Sequence, residues 1–385
     1  MSMASAAAAD ARREAASITD YYNLKLGPTA WKFSAGLGLD YNDNVNYTQD
    51  HPEGDFVFRP QIHAQMLLPV SDQNNLSLAL NAGYSAYVQH SDLNRLFIPG
   101  SELSFDLYVG DVSINLHDRF SLAEYSYQDP TIAGTGDFAQ LQNALGTTAA
   151  WDLNKALVRF GYDHLNFITL SGDQGQPDGQ SEVFFSSVGY NLKPGLLLGA
   201  ELGGALLHYA HPSTIYSDAS QWNVGVFCDM QVSQYVHVAG HGGYSVYSPE
   251  PVAGLTTTGD FAGVYGQIDI THRVNERLDY SLSGGRTISA TLAGGTIDRY
   301  FAYWRANWRI VRKVGLTTSF SYEHGSQLAA GAETYDQYGP GISLSRPITA
   351  KLSSTLGYQV YWRGSNLSGR NYTVNVVSLN FNYLF

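Results

Sequence analysis

This chain has almost nothing from which to build a covalent or metal-held framework. Cys228 is the only cysteine among 385 residues, so no intrachain disulfide forms and a cysteine-based zinc site is ruled out. Within W-N-V-G-V-F-C it holds an apolar strand position and reads as a small hydrophobe rather than a nucleophile. No run of apolar residues approaches the length of a membrane-spanning helix. Charge is scarce, at 15 % of residues, against roughly 25 % in soluble domains. Bases are outnumbered: 22 Lys and Arg against 34 Asp and Glu leave a net charge of −12, with no basic surplus to neutralise nucleic-acid phosphates. No G-x-S-x-G, H-E-x-x-H or P-loop string occurs. We therefore expect no catalytic residues, no metal site, no cofactor and no nucleic-acid partner.

Aromatic and neutral polar residues are abundant, with 27 Tyr and 39 Gly at a mean hydropathy of −0.18. A sheet with one face in lipid and the other in water needs this mixture. Strict two-residue alternation runs from about residue 29 to the end. Trp31, Phe33, Ala35, Leu37, Leu39 and Tyr41 alternate with Lys32, Ser34, Gly36, Gly38 and Asp40. Tyr300, Ala302, Trp304, Ala306, Trp308 and Ile310 alternate with a second set that includes Arg299, Arg305 and Arg309.

The connections alternate as well. Short joins fall at residues 69–74, 110–111, 152–154, 193–195, 233–234, 273–276, 312–313 and 346–350. Longer polar joins fall at 43–54, 91–95, 124–140, 166–179, 211–220, 249–257, 292–295, 327–333 and 364–370. Eight short and nine long joins separate eighteen strands, and an even number with short turns at one end is the rule for transmembrane barrels. Many of these strands exceed the 5–6 residues usual in soluble sheets. We expect an all-β fold, a transmembrane up-and-down antiparallel β-barrel of about 18 strands over residues 29–385. Closure is obligatory, because an open edge in hydrocarbon leaves backbone groups unpaired at several kcal/mol each.

Residues 1–28 do not alternate. The start MSMASAAAADARREAAS lacks the apolar core of an intact secretory signal, but its run of small residues looks like the tail of one. We read 1–28 as a trimmed signal remnant forming a periplasmic tail, or alternatively a short helix or lumen plug.

If the apolar set meets lipid, the other set lines the interior. Arg299, Arg305, Arg309 and Arg363 are then expected to face Asp106, Glu201, Asp229 and Asp269 and to set ion selectivity. The alternative is that these charges pair across the lumen and fill it. Inward aromatics such as Tyr87, Tyr108, Phe227, Tyr265, Phe301, Tyr303 and Tyr361 could form a stacking track for sugars, or could pack against infolded loops. His237 and His241, with Ser245 beyond, share one inward face. Four residues along a strand span about 13 Å, too far for one metal or one hydrogen-bonded pair. The stretch DYNDNVNYT (40–48) is rich in oxygen ligands but lacks calcium-loop spacing, and it also suits a loop of Asx turns.

Two segments carry a family resemblance. SAGLGLDYNDNVNYT (34–48) resembles the opening strand of the β-barrel porin 2 type family of bacterial outer-membrane proteins. The ending NVVSLNFNYLF resembles the C-terminal signature of outer-membrane barrels, in which Phe381, Tyr383 and Phe385 would be the assembly signal. The resemblance implies the outer membrane of a Gram-negative cell, with outer-membrane lipid and the barrel-assembly machinery as partners. We expect a porin-like channel for passive passage of small hydrophilic solutes, with homo-oligomerisation left open. The rival readings are a structural or accessory barrel linked to exopolysaccharide export or envelope assembly, and a barrel enzyme.

Overall fold

The computed structural model describes residues 22–123, 130–131, 133, 137–170, 177–212, 217–251, 260–290, 296–311, 313–327 and 333–385. After a short strand β1 (Leu24–Leu26) come eighteen long ones: β2 (Thr29–Asn42), β3 (Asp55–Pro69), β4 (Asn75–Tyr87), β5 (Arg95–Val109), β6 (Val112–Ala123), β7 (Gln140–Asp152), β8 (Ala156–Thr169), β9 (Gly179–Lys193), β10 (Leu196–Tyr209), β11 (Ala219–Gln231), β12 (Val236–Pro249), β13 (Phe261–Arg273), β14 (Leu278–Ala290), β15 (Thr296–Val311), β16 (Val314–Gln327), β17 (Thr334–Pro347), β18 (Leu352–Ser365) and β19 (Tyr372–Leu384). Each pairs antiparallel with its sequence neighbours. β19 pairs back onto β2 from Val376↔Asn42 to Leu384↔Ser34, which closes the ring. The barrel therefore has the eighteen strands expected. Among the described residues no helix is long and apolar enough to cross a membrane.

The alternation decides which way each side chain points. Val377 and Tyr383 are exposed on the outer wall, as are Leu37, Tyr41, Phe58, Ile62, Trp304 and Trp308. In a water-soluble protein so many exposed apolar side chains would be anomalous; in lipid they are the solvated face. Trp151, Trp222 and Trp362 are also exposed there, where amphipathic rings suit the membrane–water boundary. Cys228 shares the parity of Trp222, Val224 and Val226, and so belongs to the outer face. Two of the short turns contain a glycine in the left-handed region, Gly110 (φ 59°) and Gly195 (φ 79°), where a Cβ would be strained. The start of β2 and the end of β19 both lie at this short-turn end.

β19 pairs as far as Ser34, with a last bond from the Phe385 N–H to the Phe33 carbonyl (3.3 Å), and leaves the edge of β2 below that point uncovered. β1 takes this edge, with Leu24↔Trp31 and Leu26↔Thr29 in register. Asn23 extends the pairing: its Nδ2 donates to the Phe33 carbonyl (2.7 Å) and its Oδ1 accepts the Phe33 N–H (3.0 Å). Part of the 1–28 segment is thus sheet rather than tail, because the seam offers unpaired backbone for it to satisfy. Residues 1–21, and with them the helix and plug expectations, lie outside the described residues.

The lipid-facing assignment is testable at mid-strand. Ile62 is 66 % exposed at the centre of β3, and Gln65 has the opposite parity on the same strand. Ile62→Arg should lose about 2–4 kcal/mol of stability in reversible denaturant titrations in bilayers, while Gln65→Arg should change it far less. Equal costs would overturn the assignment of faces.

Candidate functional site

The interior is lined by charged side chains that mostly answer one another locally. Arg59 binds Asp40 on the adjacent strand. Arg119 donates from Nε to Glu102 (3.0 Å). His117 contacts Asp163 (2.6 Å), His237 contacts Asp229 (3.0 Å) and His241 contacts Glu201 (2.9 Å). His237 and His241 therefore serve two separate carboxylates and form no joint site; Ser245 is buried and accepts from Gln221 (3.2 Å). Among the described residues no three metal-ligating side chains converge.

The expected selectivity residues separate into three groups. Arg305 and Arg309 lie on the inner wall of β15, exposed, with no ion pair among the described residues. Arg299, higher on the same strand, approaches Glu323 (3.6 Å) and covers the Phe301 ring. Arg363 is a correction to the expected pore wall: its side chain is fully buried and cannot meet a passing ion. Of the four acids, Asp106 on β5 lies across the lumen from β15, eight strands away around the ring. Glu201, Asp229 and Asp269 are on β10, β11 and β13, five, four and two strands from β15. Strand order therefore gives no opposed rings of charge. Asp106 accepts from Asn115 (2.8 Å), and Asp269 from Gln267 (2.8 Å) and Ser283 (2.6 Å).

Arg363 is buried because chain from the long-loop end folds over it. Its Nη2 donates to Glu333 Oε1 (2.7 Å), its Nε to the Pro130 carbonyl (2.7 Å) and its Nη1 to the Arg370 carbonyl (2.5 Å). Arg370 completes the cluster, donating from Nε to Glu333 Oε2 (2.9 Å) and from Nη2 to the Thr131 carbonyl (2.9 Å). Pro130 and Thr131 belong to the β6–β7 connection, six strands from β18 by the shorter way round, so this connection reaches across the lumen. Ala133 packs beside them on a core of Tyr47, Tyr372, Val374 and Val376. Tyr47 comes from the β2–β3 connection, which also turns inward. Asn42 Oδ1 accepts the Asn44 N–H (2.9 Å), and Asn44 is buried with bonds to the Thr48 and Thr373 carbonyls (2.8 and 3.0 Å). The oxygen-rich 40–48 stretch is thus spent on Asx-type bonds and on docking to β19.

A second infolding enters from the opposite sector. The β13–β14 ladder ends at Gly266↔Arg286, although β14 continues to Ala290. Beyond that point the β14–β15 hairpin leaves the wall and lies inside it. Ile288 packs against Ala219 and Tyr247, and its carbonyl accepts from Gln221 Nε2 (2.9 Å). Arg286 and Asp298, at positions whose parity would place them in lipid, form a two-bonded ion pair (2.8 Å each). A bilayer-facing charge pair is costly, whereas a hairpin withdrawn from the wall carries it readily.

Two chambers among the described residues bear on the site. One, about 1230 Å³, opens at the short-turn end between β5 and β9 and includes Asp106, Tyr108 and Arg159. The other, about 280 Å³, lies under the infolded hairpin and includes Arg159, Glu201, Asp229, Phe227 and Tyr265. Arg159 stands between them and lines both. Of the expected aromatic track, Tyr361 packs against the loop core, and Phe301 is buried and stacked on Tyr303 (5.2 Å).

No protein-family model matches the chain, and neither does any curated protein. Solved structures do. OpdK of Pseudomonas aeruginosa, an outer-membrane protein solved with vanillate, aligns at TM-score 0.52 and 9 % identity over 92 % of this chain and 99 % of that one. OccK2 (OpdF) of the same organism, solved with glucuronate, aligns at 0.53 and 10 % over 92 % and 98 %. OccAB3 of Acinetobacter baumannii aligns at 0.51 and 11 % over 92 % and 99 %. At such identities the likeness is one of fold: this chain is built as these barrels are.

The Glu333 cluster yields a prediction with a defined pH dependence. Burial pushes the Glu333 carboxyl up. The Ser365 and Arg370 hydrogen bonds and the Arg363 charge outweigh it and hold the carboxyl below its ordinary 4.5. A depressed carboxyl contributes stability that is complete above its unfolded value and is lost as pH falls through the folded one. Glu333→Gln leaves Arg363 buried without its counter-charge, at a cost of about 3–5 kcal/mol. Protease cleavage in the β6–β7 connection should therefore accelerate in the variant at pH 7, and in the wild type only in acid below pH 4.5. A variant as resistant as wild type at pH 7 would show that the ion cluster does not hold this connection.

Proposed function

We propose that this protein is a passive channel for small hydrophilic solutes in the outer membrane of a Gram-negative cell. The observation that carries this reading is the open chamber of about 1230 Å³ at the short-turn end of a closed barrel with an apolar outer wall. Its inner wall is polar, and Arg305 and Arg309 stay exposed without an ion-pair partner among the described residues. A barrel of 16–18 strands is wide enough to leave an aqueous path. Vanillate and glucuronate, named with two of the similar barrels, are solutes of this size and polarity. Solute enters past the infolded loops and moves along charged groups held by their neighbours, with no covalent chemistry.

Phe381, Tyr383 and Phe385 fit this reading as the segment that the barrel-assembly machinery would bind. Tyr383 and Phe385 are exposed at the short-turn end, their rings 5.4 Å apart edge to face. The likeness of the first strand and loop to those of β-barrel porin 2 type proteins supports reading the chain as a barrel of that type. One observation favours a second reading, an accessory barrel of the envelope: the β2–β3 and β6–β7 connections pack firmly on the inner wall through Tyr47, Ala133 and Pro130. An enzyme is the weakest reading, because His237 and His241 are each engaged by their own carboxylate.

Single-channel recording in planar bilayers separates these readings. The channel gives stable ion steps, and silence from well-folded protein would favour the accessory barrel. The double substitution Arg305→Glu and Arg309→Glu exchanges two positive charges for two negative ones on one strand of the wall. It should move the reversal potential under a salt gradient towards cation preference. An unchanged reversal potential would remove both arginines from the conduction path.

A further inference from the structure

The smaller chamber is lined by aromatic rings that lie over glycines of the inner wall. Along one register row run Arg159, Ser187, Glu201, Gly225, Gly243 and Tyr265, on strands β8 to β13. Two glycines therefore separate Glu201 from Tyr265. The Tyr265 side chain reaches along the wall to Gly225 and donates from its hydroxyl to Glu201 Oε1 (2.9 Å). A Cβ on Gly225 would sit 2.3 Å from that hydroxyl. Phe227 does the same one row below. It lies over Gly199, its register partner, and reaches Gly189 on the next strand. Phe185 covers Gly161, with a ring carbon 1.9 Å from where a Cβ would stand.

Three rings thus lie along the wall rather than projecting from it, so each presents a face to the cavity. At their margins are carboxylates on Glu201 and Asp229, the Asn223 amide and the Arg159 guanidinium. These are planar groups able to take part in two hydrogen bonds at once. Aromatic faces beside planar donors and acceptors suit a solute that is apolar on its ring faces and hydroxylated at its rim. The volume of about 280 Å³ falls at the low end of ligand pockets, roughly 300–1,000 Å³, which suits one ring rather than a chain of them. Charge narrows the class further. The cavity holds two carboxylates, one guanidinium and the His241 imidazole, which is hydrogen-bonded to Glu201; with that imidazole neutral, an anionic ring would meet a net negative wall.

We propose that this cavity is a binding site for an uncharged monosaccharide, with Phe227 and Tyr265 stacking on the ring and Glu201, Asp229 and Asn223 taking its hydroxyls. The proposal rests on the channel reading, and it names the class of solute that the channel holds during passage.

The test uses the full-length protein and three probes: glucose, glucuronate and glucosamine. Glucose should reduce the single-channel ion current in a saturable way. Phe227→Ala should raise the half-blocking concentration at least tenfold. Gly203→Leu fills the cavity while removing no ligand-binding group. A Cβ there meets nothing closer than Asn223 Nδ2 at 3.7 Å, so the wall accepts it, and block by glucose should disappear. Retention of the heat-modifiable folded band on gels shows that each variant still forms a barrel. Saturation-transfer NMR on protein in detergent micelles reads glucose binding without requiring conduction. A silent bilayer together with a positive NMR signal would therefore overturn the channel and leave the site standing. Ion steps with neither block nor NMR transfer from glucose would overturn the site alone. Glucuronate or glucosamine acting tenfold more strongly than glucose, or Gly203→Leu leaving block unchanged, would overturn it as well.

Discussion

The hydrogen bonds between the last strand and the first govern everything else. Until β19 finds β2, from Val376↔Asn42 down to Leu384↔Ser34, two edges are open and no bilayer would accept the sheet. Antiparallel closure by neighbour-to-neighbour pairing demands an even number of strands, and it places the start of β2 and the end of β19 at one end. It also fixes parity throughout, because a slip of one residue at the seam would turn apolar rows inward along every strand. The seam is supported from below by β1 and by Asn23, whose amide bonds the Phe33 backbone as a further strand residue would.

Given a closed wall, function depends on where regular pairing is given up. The β13–β14 ladder stops at Gly266↔Arg286, and the freed hairpin becomes the roof of a chamber. Pro130 and Thr131 of the β6–β7 connection are held beside β18 by carbonyl bonds to Arg363 and Arg370. Arg363 bonds backbone from the far side of the barrel, while Glu333 supplies the charge that allows a guanidinium to be buried there. The two infoldings enter from different sectors. Among the described residues the connections at the short-turn end are short, and the wider chamber opens there.

The wall was legible because its signals are local. Period-two alternation and the lengths of the joins depend on neighbours in sequence, and both placed the eighteen strands close to where they lie. The lumen was much less so. Parity tells that Arg363 points inward but not that Pro130, more than two hundred residues away, will cover it. Parity also says nothing about whether an acid faces an arginine across the barrel or stands a few strands along, which is why Glu201, Asp229 and Asp269 were expected opposite β15. One infolding did leave a trace. At the outer end of β14 and β15 the alternation inverts, with Arg286 and Asp298 at lipid-facing positions and Ile297 buried at a lumen-facing one. That inversion is what a hairpin needs when its former lipid face packs against the inside of β13.

Glycine explains why the aromatic content of this chain could not be assigned by parity alone. An inward tyrosine or phenylalanine in a barrel normally projects towards the axis and obstructs it. Here the register partners Gly161, Gly199 and Gly243, with Gly225 and Gly189 beyond them, let Phe185, Phe227 and Tyr265 lie down along the wall. The rings then line the small chamber. Each such glycine weakens its own strand through backbone entropy, and neighbour-to-neighbour pairing around a closed ring is what makes that loss tolerable. The closure that bars unpaired backbone from the membrane therefore also permits a stretch of bare wall inside it, and the small chamber is built on that stretch.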